Sequence, residues 1–151
     1  MKALVVSDVH GDANALDCVL STEACTDVFC LGDGVREYDE AKRFHPHLHF
    51  HIVKGNCDWV TFHPAVAIEE WAGKRIEYMH GHIVDVKSSY SRAIAMAEKD
   101  QADVLLFGHT HQQYLQKNEQ LLVCNPGSLA RGEYAVLSDT NGNLECFLKT
   151  L

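Results

Sequence analysis

Three short apolar runs, Ala3-Leu4-Val5-Val6, Val28-Phe29-Cys30-Leu31 and Val104-Leu105-Leu106-Phe107, contain no polar residue at all, and this constrains the fold more than any other feature. A strand with one wet face alternates apolar and polar side chains, so an unbroken run belongs to a strand covered on both faces. The runs therefore predict central parallel strands of an α/β protein. Each ends abruptly in a polar, glycine-containing cluster: Ser7-Asp8-Val9-His10-Gly11, Gly32-Asp33-Gly34, and Gly108-His109-Thr110-His111.

Between the first two runs, Asp12 can cap a helix whose Ala15, Leu16, Val19 and Leu20 share one face. Tyr90, Ala93, Ile94 and Ala97 form a similar stripe before the third run. His49 to Val53 and Arg75 to Met79 read as further strands. The end of the chain differs: Tyr114 to Val123 turns at Asn118-Glu119, and Tyr134 to Phe147 turns at Asn141-Gly142, a dipeptide suited to a type I′ hairpin. At 151 residues, with three prolines and no Ser/Gly-rich linker, the chain reads as one domain over residues 1–151. A net charge of −8 disfavours broad binding to nucleic acid or anionic lipid, so any phosphate must be met by local positive charge. Six cysteines without a CxxC pair, together with no secretory signal pattern and no membrane-length apolar run, predict a reduced, cytoplasmic protein.

The polar clusters share one edge. In open α/β sheets ligands sit outside the carboxyl ends of the strands, so chemistry that follows several strands converges on one crevice. Gly55-Asn56-Cys57-Asp58 and Met79-His80-Gly81-His82 join the three clusters already named. Residues two apart on extended chain point the same way, which lets Asp8 with His10, and His109 with His111, reach neighbouring points. Carboxylate, imidazole and amide oxygen form a mixed set larger than one four-coordinate ion needs, and two ions sharing one carboxylate fit it better. Gly11, Gly32, Gly34, Gly55, Gly81 and Gly108 allow the backbone to turn tightly beside a ligand.

The ordered series DVH, GDG, GNCD, HGH and GHTH resembles the calcineurin-like metallophosphoesterases, and Asn125-Pro126-Gly127-Ser128 resembles their small prokaryotic YfcE-like phosphodiesterase branch. The resemblance implies a four-layer α/β/β/α sandwich of two mixed sheets flanked by helices. It also implies a dinuclear site in which Asp8, His10, Asp33 and His111 hold one divalent ion, and Asp33, Asn56, His80 and His109 hold the other. Asp33 is then the bridge, with Asn56 and His80 beside it in the catalytic set. Water bridging the ions, acidified towards neutral pH, would attack phosphorus in line. Two divalent ions against Asp8 and Asp33 leave the crevice positive within an acidic chain. Manganese is the first expectation, with iron, nickel, zinc or magnesium as alternatives, because the oxygen-rich half and the imidazoles suit different metals.

One position departs from the superfamily. Many members carry GNHD, whose histidine is thought to protonate the leaving oxygen, where this chain has Cys57. A thiol is a poor general acid, so leaving groups that depart without protonation are expected to be preferred, unless metal-bound water or His82 substitutes. Cys57 is otherwise expected to be a small packed thiol, and Asp58 to bond locally to backbone. Asp27, Asp39, Asp85, Asp100 and Asp103 read as surface or turn residues, and Arg36 and Arg131 as candidate contacts for substrate phosphate. Asn125 or Ser128 is expected to brace the site by hydrogen bonds. The run His45-Pro46-His47-Leu48-His49-Phe50-His51 reads as one strand face alternating with Leu48, Phe50 and Ile52. Short loops predict an open site for a small phosphate ester, and exposed hairpin residues are compatible with a homodimer. The rival to an enzyme is a protein-interaction scaffold on the same fold, as in the retromer subunit resembling this superfamily; such relatives lose ligands, and this chain keeps the set. A metallo-β-lactamase-like hydrolase would need HxHxDH, which is absent.

Overall fold

The unbroken runs are buried on both sides, and alternation decides what covers each side. Leu4 and Val6 pack towards Leu16, Val19 and Leu20, whereas Ala3 and Val5 pack towards Ile76, Val104 and Leu106. In the computed structural model, which describes residues 1–151, this pattern belongs to two five-stranded mixed sheets laid face to face. The first contains β1 (Lys2–Val6), β2 (Asp27–Cys30), β3 (His49–Ile52), β9 (Glu133–Thr140) and β10 (Asn143–Thr150), in the order β10-β9-β1-β2-β3. The second contains β4 (Val66–Trp71), β5 (Lys74–Met79), β6 (Val104–Leu106), β7 (Tyr114–Lys117) and β8 (Leu122–Asn125), in the order β4-β5-β6-β8-β7.

Helices α1 (Ala13–Thr22) and α2 (Val35–Phe44) cover the outer face of the first sheet, and α3 (Ser91–Lys99) covers that of the second. The result is the four-layer sandwich expected from the resemblance. The Asp12 carboxylate caps α1 by accepting from the Ala15 N–H at 3.0 Å. Strands β1, β2 and β3 are parallel, as are β5, β6 and β8; hairpins β7–β8 and β9–β10 supply antiparallel edges. Asn141 and Gly142 take φ of 54° and 84°, the left-handed pair that a type I′ turn requires.

Two elements escape the sequence pattern. Helix α2 buries only Val35, Tyr38 and Ala41 among charged neighbours, and edge strand β4 carries Glu69-Glu70 within its span. The chain between β3 and β4 is also long, thirteen residues without regular structure, so the expectation of uniformly short loops fails there. No helix is long and apolar enough to cross a membrane.

Candidate metal centre

Parallel strands β1, β2, β5 and β6 end at the same edge of the sandwich, and the loops leaving them are tied together by backbone. The Asp8 N–H donates to Gly32 O at 3.1 Å, His10 N–H to Asp33 O at 3.0 Å, and Gly108 N–H to His80 O at 3.0 Å. Glycine is needed where these loops touch. A β-carbon on Gly108 would stand 1.9 Å from Ser7 Oγ, and one on Gly32 would stand 2.5 Å from the Gly55 nitrogen.

All seven side chains expected at the metal site meet there. Asp8 Oδ1 lies 3.5 Å from His10 Nε2 and 2.9 Å from His111 Nε2, and the two imidazole nitrogens are 3.3 Å apart. Around the second point, His80 Nε2 lies 3.0 Å from Asn56 Oδ1, 3.1 Å from His109 Nδ1 and 3.3 Å from Asp33 Oδ2. The same Asp33 oxygen is 3.8 Å from His10 Nε2, so it faces both groups, while Asp33 Oδ1 accepts the Cys57 N–H at 2.9 Å.

This arrangement suits cations better than hydrogen bonds. Leu31 O can only accept, so its 2.7 Å contact places the proton of His80 on Nδ1 and turns Nε2 towards Asn56, Asp33 and His109. Asp8 Oδ2 accepts from Ser7 Oγ at 2.6 Å and from the His109 N–H at 3.1 Å, but buried Oδ1 meets no hydrogen-bond donor in the right direction, despite the nearness of His111. Lone pairs outnumber protons at both points, and a mixed oxygen and nitrogen set of this kind fits divalent ions. Asp8, His10 and His111 could hold one, and Asp33, His80 and His109 the other, with Asn56 Oδ1 added to the second.

The same side chains shift one another's protonation. Burial would raise the pKa of Asp33, but the His80 contact and the Cys57 N–H hold it below the usual carboxylate range. Burial depresses His80, yet Asp33 and Asp8 outweigh that and raise it. Burial and the neighbouring His80 press His109 down to about 4. Five of the seven residues, Asp8, His10, Asp33, His109 and His111, have φ between 47° and 69°. The extended geometry expected for the i, i+2 pairs is therefore replaced by left-handed turns, while His109 and His111 still reach two neighbouring points, one each. Left-handed backbone on residues other than glycine costs on the order of 1–2 kcal/mol each, so its concentration here marks a site maintained for function.

Supporting residues are partly those expected. Buried Asn125 donates to Gly108 O at 3.1 Å and to Thr110 Oγ1 at 2.9 Å, and Ser128 Oγ donates to Asp8 O at 2.9 Å. Asp58 does bond to backbone, accepting N–H groups from Asp33, Gly34, Val35 and Gly55 at 2.7–3.2 Å. Arg131 donates to His111 O at 3.1 Å, whereas Arg36 is exposed beside the loop carrying Cys57. His82 stands 5.5 Å from His80 between ring centroids, and burial lowers its pKa. Ser7, to which the sequence pattern assigns no role beyond its place in the first cluster, holds Asp8 through its hydroxyl.

Three expectations need correction. Cys57 is an exposed thiol within 4.8 Å of ligand atoms of His10 and Asp33, and not a packed one. Asp27 is buried, because His51 turns into the open end between the sheets, its Nε2 2.8 Å from Asp27 Oδ1 and its Nδ1 against Glu69. His51 is thus a link between β2, β3 and β4 and not merely one face of a strand, while the histidine run stays outside the metal clusters.

Comparison with known proteins bears on the family and the fold. A Bacillus subtilis protein named "Probable metallophosphoesterase YsnB" is 31% identical over 132 residues, 85% of this chain and 75% of that protein. A Streptococcus pneumoniae structure described as a predicted phosphoesterase superposes with a TM-score of 0.84 at 24% identity, covering 99% of this chain and 88% of its own. Vps29 of Entamoeba histolytica complexed with zinc has the same fold, with a TM-score of 0.75 at 21% identity and 99% of each chain covered. The sequence model of the calcineurin-like phosphoesterase superfamily domain matches residues 1–142, and the chain belongs to that superfamily.

Proposed function

We propose that this chain is a metal-dependent phosphodiesterase that hydrolyses small phosphate esters at the Asp8-to-His111 cluster. The observation that carries the proposal is Asp33 Oδ2, which faces His10 at 3.8 Å and His80 at 3.3 Å, so that one carboxylate could serve both ions. Asp8, His10, Asp33 and His111 would hold one ion, and Asp33, Asn56, His80 and His109 the other. When bound, the two ions supply the positive charge and the activation of water needed for in-line attack at phosphorus.

The chain's own residues supply the rest. Ser7 Oγ and the His109 N–H fix one Asp8 oxygen so that the other faces the cluster. Leu31 O fixes the His80 tautomer, a carbonyl-to-histidine restraint often seen behind metal ligands. Asn56 contributes oxygen without adding negative charge, which keeps the site attractive to phosphate. With an exposed thiol at position 57, whose pKa is raised by burial and by Asp33, the protein lacks an efficient proton donor there, and esters with good leaving groups are the expected substrates. Manganese is the favoured ion, and six free cysteines support a cytoplasmic location. The scaffold alternative rests on the Vps29-like fold together with exposed apolar residues near the site.

Hydrolysis of bis(p-nitrophenyl) phosphate by metal-stripped protein, with each divalent ion restored in turn, tests the proposal beside Asp33→Ala. Activity should return with metal and fall by at least about 10³-fold in the variant. Equal rates in variant and parent would eliminate the mechanism and leave the scaffold reading.

A further inference from the structure

The loop that follows Asp58 exposes Trp59, Val60 and Phe62 almost completely, with Trp59 89% accessible. Large apolar side chains in that state, next to a reactive centre, call for an occupant. The exposed indole is not on a loose tail. Asp58, its neighbour, accepts four backbone N–H groups from the Asp33 and Gly55 loops, which anchors the start of this segment against the metal cluster. Trp59 forms one wall of a groove of about 580 Å³ whose other wall is α2.

That groove opens onto the chemistry. Cys57 lines it and also lies within 4.8 Å of ligand atoms of His10 and Asp33. Arg36 and Arg43, seven residues apart on one face of α2, both point along it, about 10 Å apart at 1.5 Å per residue. Neither is within ion-pair distance of a carboxylate; of the three acidic groups in the lining, Asp39 is engaged by His63 at 3.0 Å and Asp58 by backbone N–H groups, while Glu40 stays on α2 between the arginines. The groove also carries Glu40 between the two arginines, so the cationic contribution to it is local to the guanidinium groups themselves, which stand beside the aromatic wall without an ion-pair partner. Aromatic platform plus arginine is the combination that receives a nucleobase attached to phosphate, and the volume lies within the usual 300–1,000 Å³ of small-molecule sites.

Resting on the phosphodiesterase reading, we propose that this groove is the substrate's organic-group subsite, and that it takes a nucleoside, its base stacked on Trp59 and its phosphate side met by Arg36. The substrate class is then a small nucleotide diester. Stacking of one base on an aromatic side chain is worth ~1–3 kcal/mol, or about 5- to 150-fold in kcat/KM.

Two esters with one leaving group separate the subsite from the reaction: thymidine 5′-p-nitrophenyl phosphate and methyl p-nitrophenyl phosphate, with manganese-loaded protein. The parent should favour the nucleoside ester. Trp59→Ala should lower the ratio of the two kcat/KM values about 10-fold or more, and Trp59→Phe should restore most of it. Because Trp71 is buried, the exposed Trp59 emission should also be quenched saturably by thymidine monophosphate, in metal-stripped as well as loaded protein, and Arg36→Gln should weaken that binding. An unchanged ratio in Trp59→Ala, with methyl ester hydrolysis present in the parent, would overturn the subsite and leave the phosphodiesterase reading intact. A change in sedimentation on Trp59→Ala with the ratio unmoved would overturn it too, and assign the face to contact between copies of the chain.

Discussion

A β-carbon at Gly55 would stand 2.1 Å from Asp33 Oδ1 and 2.6 Å from the Asp33 nitrogen. Backbone φ is not the obstacle there, since Gly55 is absent from the left-handed residues; the obstacle is the carboxylate proposed to be shared. Gly55→Ala should therefore cost metal affinity well beyond its effect on folding. Isothermal titration with manganese should show at least about a 10-fold loss with circular dichroism unchanged, the magnitude seen when groups behind metal ligands are disturbed. Parent-like affinity would show that the loop yields freely. Cys57 gives a second prediction at this scale. Cys57→His should raise the rate on a diester with an alkyl leaving group by on the order of 10²-fold relative to a p-nitrophenyl diester, because only the former needs a proton. A uniform change in both rates would mean that position 57 does not serve the leaving oxygen. The residues of the candidate metal cluster were legible because their types occur directly after recognisable strands. The exposure of Cys57 and the burial of Asp27 were not, because each is set by partners distant in sequence.

Among the elements, α2 begins without a side-chain cap of its own: Gly34 has none to offer, and the role passes to Asp58. One carboxylate thus starts a helix and joins two metal-site loops, with no sequence signature beyond its presence after Asn56-Cys57. Asp58→Asn replaces one accepting oxygen with a donor that faces N–H groups. The loss should be about 1–3 kcal/mol in chemical denaturation, with weaker metal binding alongside. Unchanged stability would mean that water replaces the cap at no cost. The same element explains what the sequence hid. Strands β1, β2, β5 and β6, helices α1 and α3, and both terminal hairpins announce themselves through period and turn residues. Helix α2 buries one residue per turn, too thin a stripe to detect, and β4 is held as much by pairing to β5 as by its own apolar content. The stacking of two sheets followed from the family resemblance, since runs buried on both faces fit a sheet covered by helices equally well.

For the molecule as a whole, the proposed ligands come from both sheets, Asp8, His10, Asp33 and Asn56 from the loops of one, His80, His109 and His111 from those of the other, so a loaded centre would fasten the sandwich at one edge. Away from that edge, stability depends on a residue the site does not use. Glu77 on β5 is fully buried and neither carboxylate oxygen has a hydrogen-bond partner. Burial, with a smaller contribution from Asp100, lifts its pKa to about 7 from an ordinary 4.5. Between those values the folded protein holds a proton that the unfolded chain has released. The stabilising proton is therefore fully effective below pH 4.5, and stability falls as pH rises to 7, by about 3 kcal/mol at most. Glu77→Gln keeps the shape and removes the ionisation. Its melting temperature relative to the parent should rise between pH 5 and pH 8, by about 5 °C or more for a chain of this size. The comparison belongs in metal-stripped protein, so that titration of the metal ligands, common to both proteins, cancels in the difference. Melting curves that shift in parallel across that range would mean that Glu77 reaches water or a cation when charged, and that it does not weaken the fold as pH rises.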